Sequence, residues 1–121
     1  MKPTMLVVDD EPLVRMDLVE MAQEGGFETV EAGSAHQALR ILESRNDIRV
    51  VFTDIRMPGD MDGLQLAHAV RNRWPPTVIV ICSGNARPPD DHLPVNVAFM
   101  SKPCRGPGLT RMFGDILQQV Q

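Results

Sequence analysis

Tyrosine is absent from these 121 residues, and tryptophan occurs once, at Trp74. So few broad aromatic faces leave little from which to build a platform for an aromatic ligand. Cysteine is nearly as scarce. Cys82 and Cys104 form no CxxC motif and no Cys/His cluster, so neither a zinc site nor a disulfide framework follows from the pattern. Cys82 lies inside the apolar run TVIVIC and reads as a small buried hydrophobe. No apolar stretch is long enough to cross a bilayer and no secretory leader is visible, so a soluble cytoplasmic protein without a membrane partner is expected. An excess of positive charge is also lacking. Twelve Lys and Arg stand against 16 Asp and Glu, for a formal net charge of -4, which gives no general attraction to nucleic acid. Repeats, low-complexity tracts and linkers are missing too, so residues 1–121 are expected to form one domain.

What the chain does have is a series of short apolar runs. Residues 5–8, 27–30, 48–53, 77–82 and 97–100 each read as a strand. The fourth is apolar throughout, as in a strand covered on both faces. Helical patterns alternate with these runs. Pro12 suits a first helical turn, and Val14, Leu18, Met21 and Ala22 follow at helical spacing until Gly25 and Gly26. Ser34 with Gln37 has the form of a capping box, ahead of a face made by Ala35, Ala38, Leu39 and Leu42. Asp62 caps a third helix with Leu66, Ala67 and Val70 inward, and Trp74, Pro75 and Pro76 end it. His36 and His68 read as surface residues without a second ligand at metal-binding spacing. Residues 83–94 hold Pro88, Pro89 and Pro94, so any helix there is short or irregular. Residues 104–108 read as a loop delaying a last helix whose inner face is Leu109, Met112, Phe113, Ile116, Leu117 and Val120. Strands alternating with helices imply βαβ units and a three-layer α/β domain.

The polar residues at the strand ends carry the functional reading. Asp9 and Asp10 follow the first strand, Asp54 the third, Ser83 the fourth and Lys102 the fifth. Parallel strands bring all five to the sheet edge where ligands of open α/β sheets collect. Three carboxylates gathered there repel one another, and Mg²⁺ is the hard cation suited to a site of few carboxylates that serves phosphate. Asp54 can then attack phosphorus as a carboxylate nucleophile. Asp9 and Asp10 hold the metal, the Ser83 hydroxyl donates to a phosphoryl oxygen, and Lys102 ion-pairs with another.

LVVDDE (residues 6–11), TDIRMPG with MDG (53–63), ICSG (81–84) and the Lys102-Pro103 pair resemble, in order and spacing, the receiver domain of two-component response regulators. The resemblance covers nearly the whole chain. It implies a flavodoxin-like sheet in the order 2-1-3-4-5, with Asp54 phosphorylated from a phosphohistidine kinase or small phosphodonor. It also implies that Asp10 is the direct carboxylate ligand of Mg²⁺ and that Asp9 acts largely through water. Asp54 and the Arg56 main-chain carbonyl complete the protein ligands. Ser83 and Phe99 match the family's switch pair, and Pro103 the proline with a cis bond before it. Partners would be a sensor histidine kinase or phosphotransfer protein and an output protein the sequence does not identify; it leaves the oligomeric state open too. Such a domain catalyses only its own phosphorylation and dephosphorylation.

The chain departs from the common receiver pattern in four places. MPGDMDG adds Asp60 near the nucleophile, and the interval from Ser83 to Lys102 is short. Cys104 stands where an aromatic is more common, and Gly106, Pro107 and Gly108 loosen the start of the last helix. A short fourth-helix region resembles alphaproteobacterial receivers that stand alone or are attached to kinases. Arg56 can overhang the site, pairing with Asp9 or Asp10 or shielding the phosphoryl group from water, while Gly84 opens the other side and Asn85 offers a polar partner. Two other functions fit less of the pattern. A receiver-fold interaction module without phosphorylation leaves the intact acidic set unused. A phosphohydrolase needs a general acid and a substrate cap that these residues do not supply. DDEP after the first strand is also no glycine-rich dinucleotide loop.

Overall fold

A computed structural model describes residues 1–84 and 87–121; Asn85 lies outside the described residues. Five strands, β1 (Thr4–Val8), β2 (Glu28–Ala32), β3 (Ile48–Asp54), β4 (Val78–Ser83) and β5 (Val97–Ser101), alternate with helices α1 (Pro12–Glu24), α2 (Ala35–Ser44), α3 (Gly63–Arg73) and α4 (Gly106–Val120). All neighbouring strands are parallel, in the order β2-β1-β3-β4-β5.

The three central strands are buried nearly throughout, which is why their sequences are continuously apolar rather than alternating. Side chains of period two divide between the faces. Leu6, Val8, Val51, Ile79 and Ile81 meet α2 and α3, whereas Met5, Val7, Val50, Phe52 and Val80 meet α1 and α4. Phe113 of α4 anchors the second layer, with edge-to-face contacts to Phe27 and Phe52 at 6.0 and 5.8 Å between centroids.

The helix caps follow their local chemistry. Ser34 Oγ accepts from the Gln37 N–H at 3.1 Å. Gln37 completes the expected box one residue further back, its Oε1 accepting from the Gly33 N–H at 2.7 Å. At α3 the box is complete: Asp62 Oδ1 accepts from the Gln65 N–H at 2.8 Å and Gln65 Oε1 from the Asp62 N–H at 2.9 Å.

Three expectations need correction. The second strand is displaced, running Glu28–Ala32 rather than 27–30, because Phe27 is drawn under α4 as a core residue. The last helix begins at Gly106, so the loop expected over 104–108 ends early. Pro107 falls in the first turn, where its missing N–H has no partner to lose. The two cysteines, which no sequence pattern paired, are joined as a Cys82–Cys104 disulfide.

Between β4 and β5 the described residues hold a single 3₁₀ turn, Asp90–His92, as the prolines predict. Here the Arg71 guanidinium of α3 donates to four carbonyls: Pro75 at 2.6 Å, Thr77 and Val95 at 2.9 Å, and Asn96 at 3.1 Å. This clasp holds the starts of β4 and β5 together, at the edge of the sheet opposite the strand-end carboxylates.

Candidate functional site

Strand register brings the site together. Val8 is paired with Thr53 and Asp54 with Cys82, so Asp9 and Asp54 stand at one level on adjacent strands and Ser83 one residue beyond it. Ser83 is in turn paired with Ser101, the residue before Lys102. Lys102 Nζ donates to Asp54 Oδ2 at 2.7 Å. Asp9, Asp10 and Asp54 each present a carboxylate oxygen within 4.8 Å of the others.

The surroundings of each group differ. Asp54 is buried, with 8% of its side chain exposed against 30% for Lys102. Burial works against the lysine's charge, yet the hydrogen bond and charge of Asp54, aided by Asp9 and Glu11, outweigh it and raise the lysine's pKa. Asp9 is only 1% exposed. Its Oδ1 accepts from the Glu11 N–H at 2.9 Å and its carbonyl from Arg15 Nη1 at 2.7 Å. Burial pushes the Asp9 carboxyl above its ordinary pKa. The Glu11 amide and Lys102 oppose this rise, while Asp54 and Asp10 add to it. Asp10 is half-buried.

The remaining expected residues sort into near and remote. Ser83 is buried at the sheet edge, and its carbonyl accepts from the Lys102 N–H at 2.9 Å. The Lys102-Pro103 bond is cis. Phe99 is half-buried on β5, with the Arg87 guanidinium 5.8 Å from its ring centre. Arg56 is exposed and makes no ion pair with Asp9 or Asp10; with Asp10, Met57, Pro58 and Asp62 it lines a shallow cleft. The extra Asp60 turns away from the carboxylates to meet His36 Nε2 of α2 at 2.6 Å, and that contact lowers its pKa.

Two supporting residues carried no role in the sequence reading. Arg15 links the Asp9 carbonyl to Glu31, whose Oε1 accepts from Arg15 Nε at 3.0 Å. Gly63 presses its Cα against the Asp54 main chain, and its N–H donates to the Ile55 carbonyl at 2.7 Å. The glycine of MDG belongs to the motif quoted from the sequence, but its contact with Asp54 depends on tertiary approach.

Donors of this kind fit a hard divalent cation. All are carboxylate oxygens, close enough to share one ion, and Lys102 and the Glu11 amide offset only part of their mutual repulsion.

A sheet wound on both faces, with an acidic centre and a lysine at its C-terminal edge, defines a flavodoxin-like α/β domain. Its family follows from comparison: residues 5–111 match the response regulator receiver domain, and the chain belongs to that family. It is 34% identical over 108 residues to the positive alginate biosynthesis regulatory protein of Pseudomonas aeruginosa, covering 86% of this chain and 43% of that protein. The chain thus spans less than half of that relative. A response regulator receiver protein from Sinorhizobium medicae superposes with a TM-score of 0.86 at 27% identity, covering 99% of this chain and 98% of the other. The response regulator TrrA of Thermotoga maritima, solved in complex with Mg(2+)-BeF, gives 0.82 at 28% identity, covering 95% and 99%.

Proposed function

We propose that Asp54 accepts a phosphoryl group from the phosphohistidine of a sensor kinase or phosphotransfer protein, or from a small phosphodonor, and that the acquired group switches binding to an output protein. The observation that carries this reading is the Asp54–Lys102 contact of 2.7 Å beside two further carboxylates. Lys102 holds Oδ2, and Asp54 forms the bond to phosphorus through its other oxygen while the bond to the donor breaks. Lys102 then follows the negative charge onto a phosphoryl oxygen, and the Ser83 hydroxyl donates to a second.

Asp9, Asp10, Asp54 and the Arg56 carbonyl would hold Mg²⁺, with Asp10 the more accessible carboxylate. The ion supplies charge neutralisation to the transferring group. The Mg(2+)-BeF complex of TrrA supports this assignment. Ser83 and Phe99 form the switch pair: displacement of the hydroxyl toward the phosphoryl group changes the space available to the half-buried ring. Residues 1–121 serve together as the receiver unit, in the cytoplasm where kinase and phosphodonor are found. It turns over no substrate beyond its own phosphorylation and dephosphorylation.

Intact-mass measurement after incubation with acetyl phosphate and MgCl₂ tests the reading. One labile phosphoryl adduct is expected on the wild type and none on Asp54→Ala. An unchanged wild-type mass would instead favour an interaction module that is not phosphorylated.

A further inference from the structure

The phosphoacceptor chemistry leaves Cys82 and Cys104 without a task, yet they meet beside its site. Cys82 is 2% exposed and lies opposite Asp54 in the β3–β4 register. Cys104, half-buried, follows Lys102 and Pro103. Topology makes the pair. Cys82 lies opposite Met100 of β5, and beyond Ser101 the chain doubles back, returning Cys104 to the level of Cys82. Their Cα atoms are 6.6 Å apart, within the range that a disulfide spans.

Both redox states are provided for. In the crosslinked protein the Cys104 Sγ lies 3.9 and 3.8 Å from the carbonyl oxygens of Met100 and Ser101, acceptors that a thiol S–H would meet once the bond opens. Reduced Cys82 would sit in the α1–α4 face of the core as a small hydrophobe. Both cysteines line a cavity of about 460 Å³ that also reaches Asp54 and Lys102. This cavity gives a small reagent access to Cys104, the more exposed of the two, whereas Cys82 is 2% exposed.

We propose that Cys82 and Cys104 form a reversible thiol–disulfide site whose crosslink, by tying the residue before Ser83 to the turn after Lys102, slows phosphoryl acceptance by Asp54. The oxidant is a low-molecular-weight disulfide. The Cys104 sulfur attacks it, forming a mixed disulfide and releasing one thiol. The Cys82 sulfur then displaces the second thiol. Two protein thiols are oxidised, and one small disulfide is reduced to two thiols. The effect on Asp54 rests on the phosphoacceptor reading and follows from space. A phosphoryl group on the other Asp54 oxygen draws Lys102 Nζ away from Oδ2, now 2.7 Å from it, so the turn that carries the lysine must make room for the arriving group. The crosslink resists the retreat of the Lys102 turn from β4.

The test uses the whole chain, reduced and then equilibrated with mixtures of glutathione and glutathione disulfide, alkylated and weighed intact. Loss of both free thiols together without added glutathione, reversed by dithiothreitol, is expected. Cys82→Ser should retain one glutathione on Cys104, and Cys104→Ser, altered at the more accessible sulfur, should form no internal crosslink. Two alkylated thiols at every ratio, a stable mixed disulfide on the wild type or a crosslinked dimer overturns the site. With acetyl phosphate and MgCl₂, the oxidised protein should gain its adduct more slowly than the reduced protein, by up to about 100-fold, the scale of a misplaced reacting group. Equal rates overturn the coupling. A reversible disulfide with no adduct in either state refutes the phosphoacceptor reading and leaves the thiol site standing.

Discussion

Replacing Gly63 by alanine should unsettle the protein more than any other single methyl addition at a glycine. A Cβ at this position would overlap the Asp54 carbonyl oxygen and stand 2.7 Å from its carbonyl carbon and 2.9 Å from Ile55 Cα. These are backbone atoms of a strand end, so no side chain can turn away to make room. Overpacking of this kind costs about 1–3 kcal/mol, and the contact here is against main chain, which favours the upper part of that range. Separating the segments also weakens the Gly63 N–H to Ile55 carbonyl bond of 2.7 Å, a loss of roughly 0.5–1.5 kcal/mol. The lower entropy of an unfolded chain carrying alanine returns about 0.4–1 kcal/mol. The net loss is then about 2–3 kcal/mol, a fall in Tm of roughly 10 °C for a domain of this size. Gly114 supplies the opposite control. It is exposed on α4, and a Cβ there would meet nothing within 4 Å, so Gly114→Ala should gain about 0.5–1 kcal/mol from helix propensity. Thermal melts followed by circular dichroism measure both variants. A Gly63→Ala protein melting with or above the wild type would refute the claim that α3 is seated directly on the Asp54 main chain.

Other perturbations test other layers. Phe113→Ala removes the ring that meets both Phe27 and Phe52 and should cost about 3–5 kcal/mol, read as a lower urea midpoint. Asp9→Asn tests the buried carboxyl without metal. The folded protein holds the Asp9 proton more tightly than the unfolded chain does. Its contribution to stability is therefore full below the ordinary carboxylate value and is lost as pH rises through the raised one. The Tm advantage of Asp9→Asn should accordingly widen from acid to neutral pH; a constant gap would contradict the assigned effect of burial. If the acidic centre holds Mg²⁺, a concentration of 100 times Kd should stabilise the wild type by about 2.7 kcal/mol. Chelation should reverse that shift, and Asp10→Asn should reduce it, both visible in thermal melts. Arg71→Lys should lower Tm by several degrees, since an ammonium cannot serve four carbonyls with a planar fork.

The features legible in the sequence were those set by local periodicity and by strand ends. Three apolar runs became the buried centre of the sheet, and the residues following the first, third, fourth and fifth strands came to one edge because parallel strands share their polarity. Asp62 was readable as a cap since its partner is three residues away. Contacts that depend on how distant segments approach were not readable in this way. Asp60 was placed near the nucleophile by its sequence position, but the loop turns it toward His36, 24 residues earlier. Cys82 and Cys104 are 22 residues apart with no motif between them, and only the β4–β5 pairing and the turn after it bring them together. The start of α4 was missed because glycine and proline at 106–108 signal a loop by composition, although proline is well placed in a first helical turn.

Arg71 has a mechanical consequence for the whole domain. By gathering the entries to β4 and β5 at the bottom of the sheet, it makes that end the bearing. Ser83 and Lys102 lie at the far end of the same two strands, beside the carboxylates that end β1 and β3. A tilt of the two strands about the arginine would displace Ser83 and Lys102 the most, so in the structure the strands are held at both ends: by the arginine where they begin and by the Cys82–Cys104 crosslink where the chemistry lies.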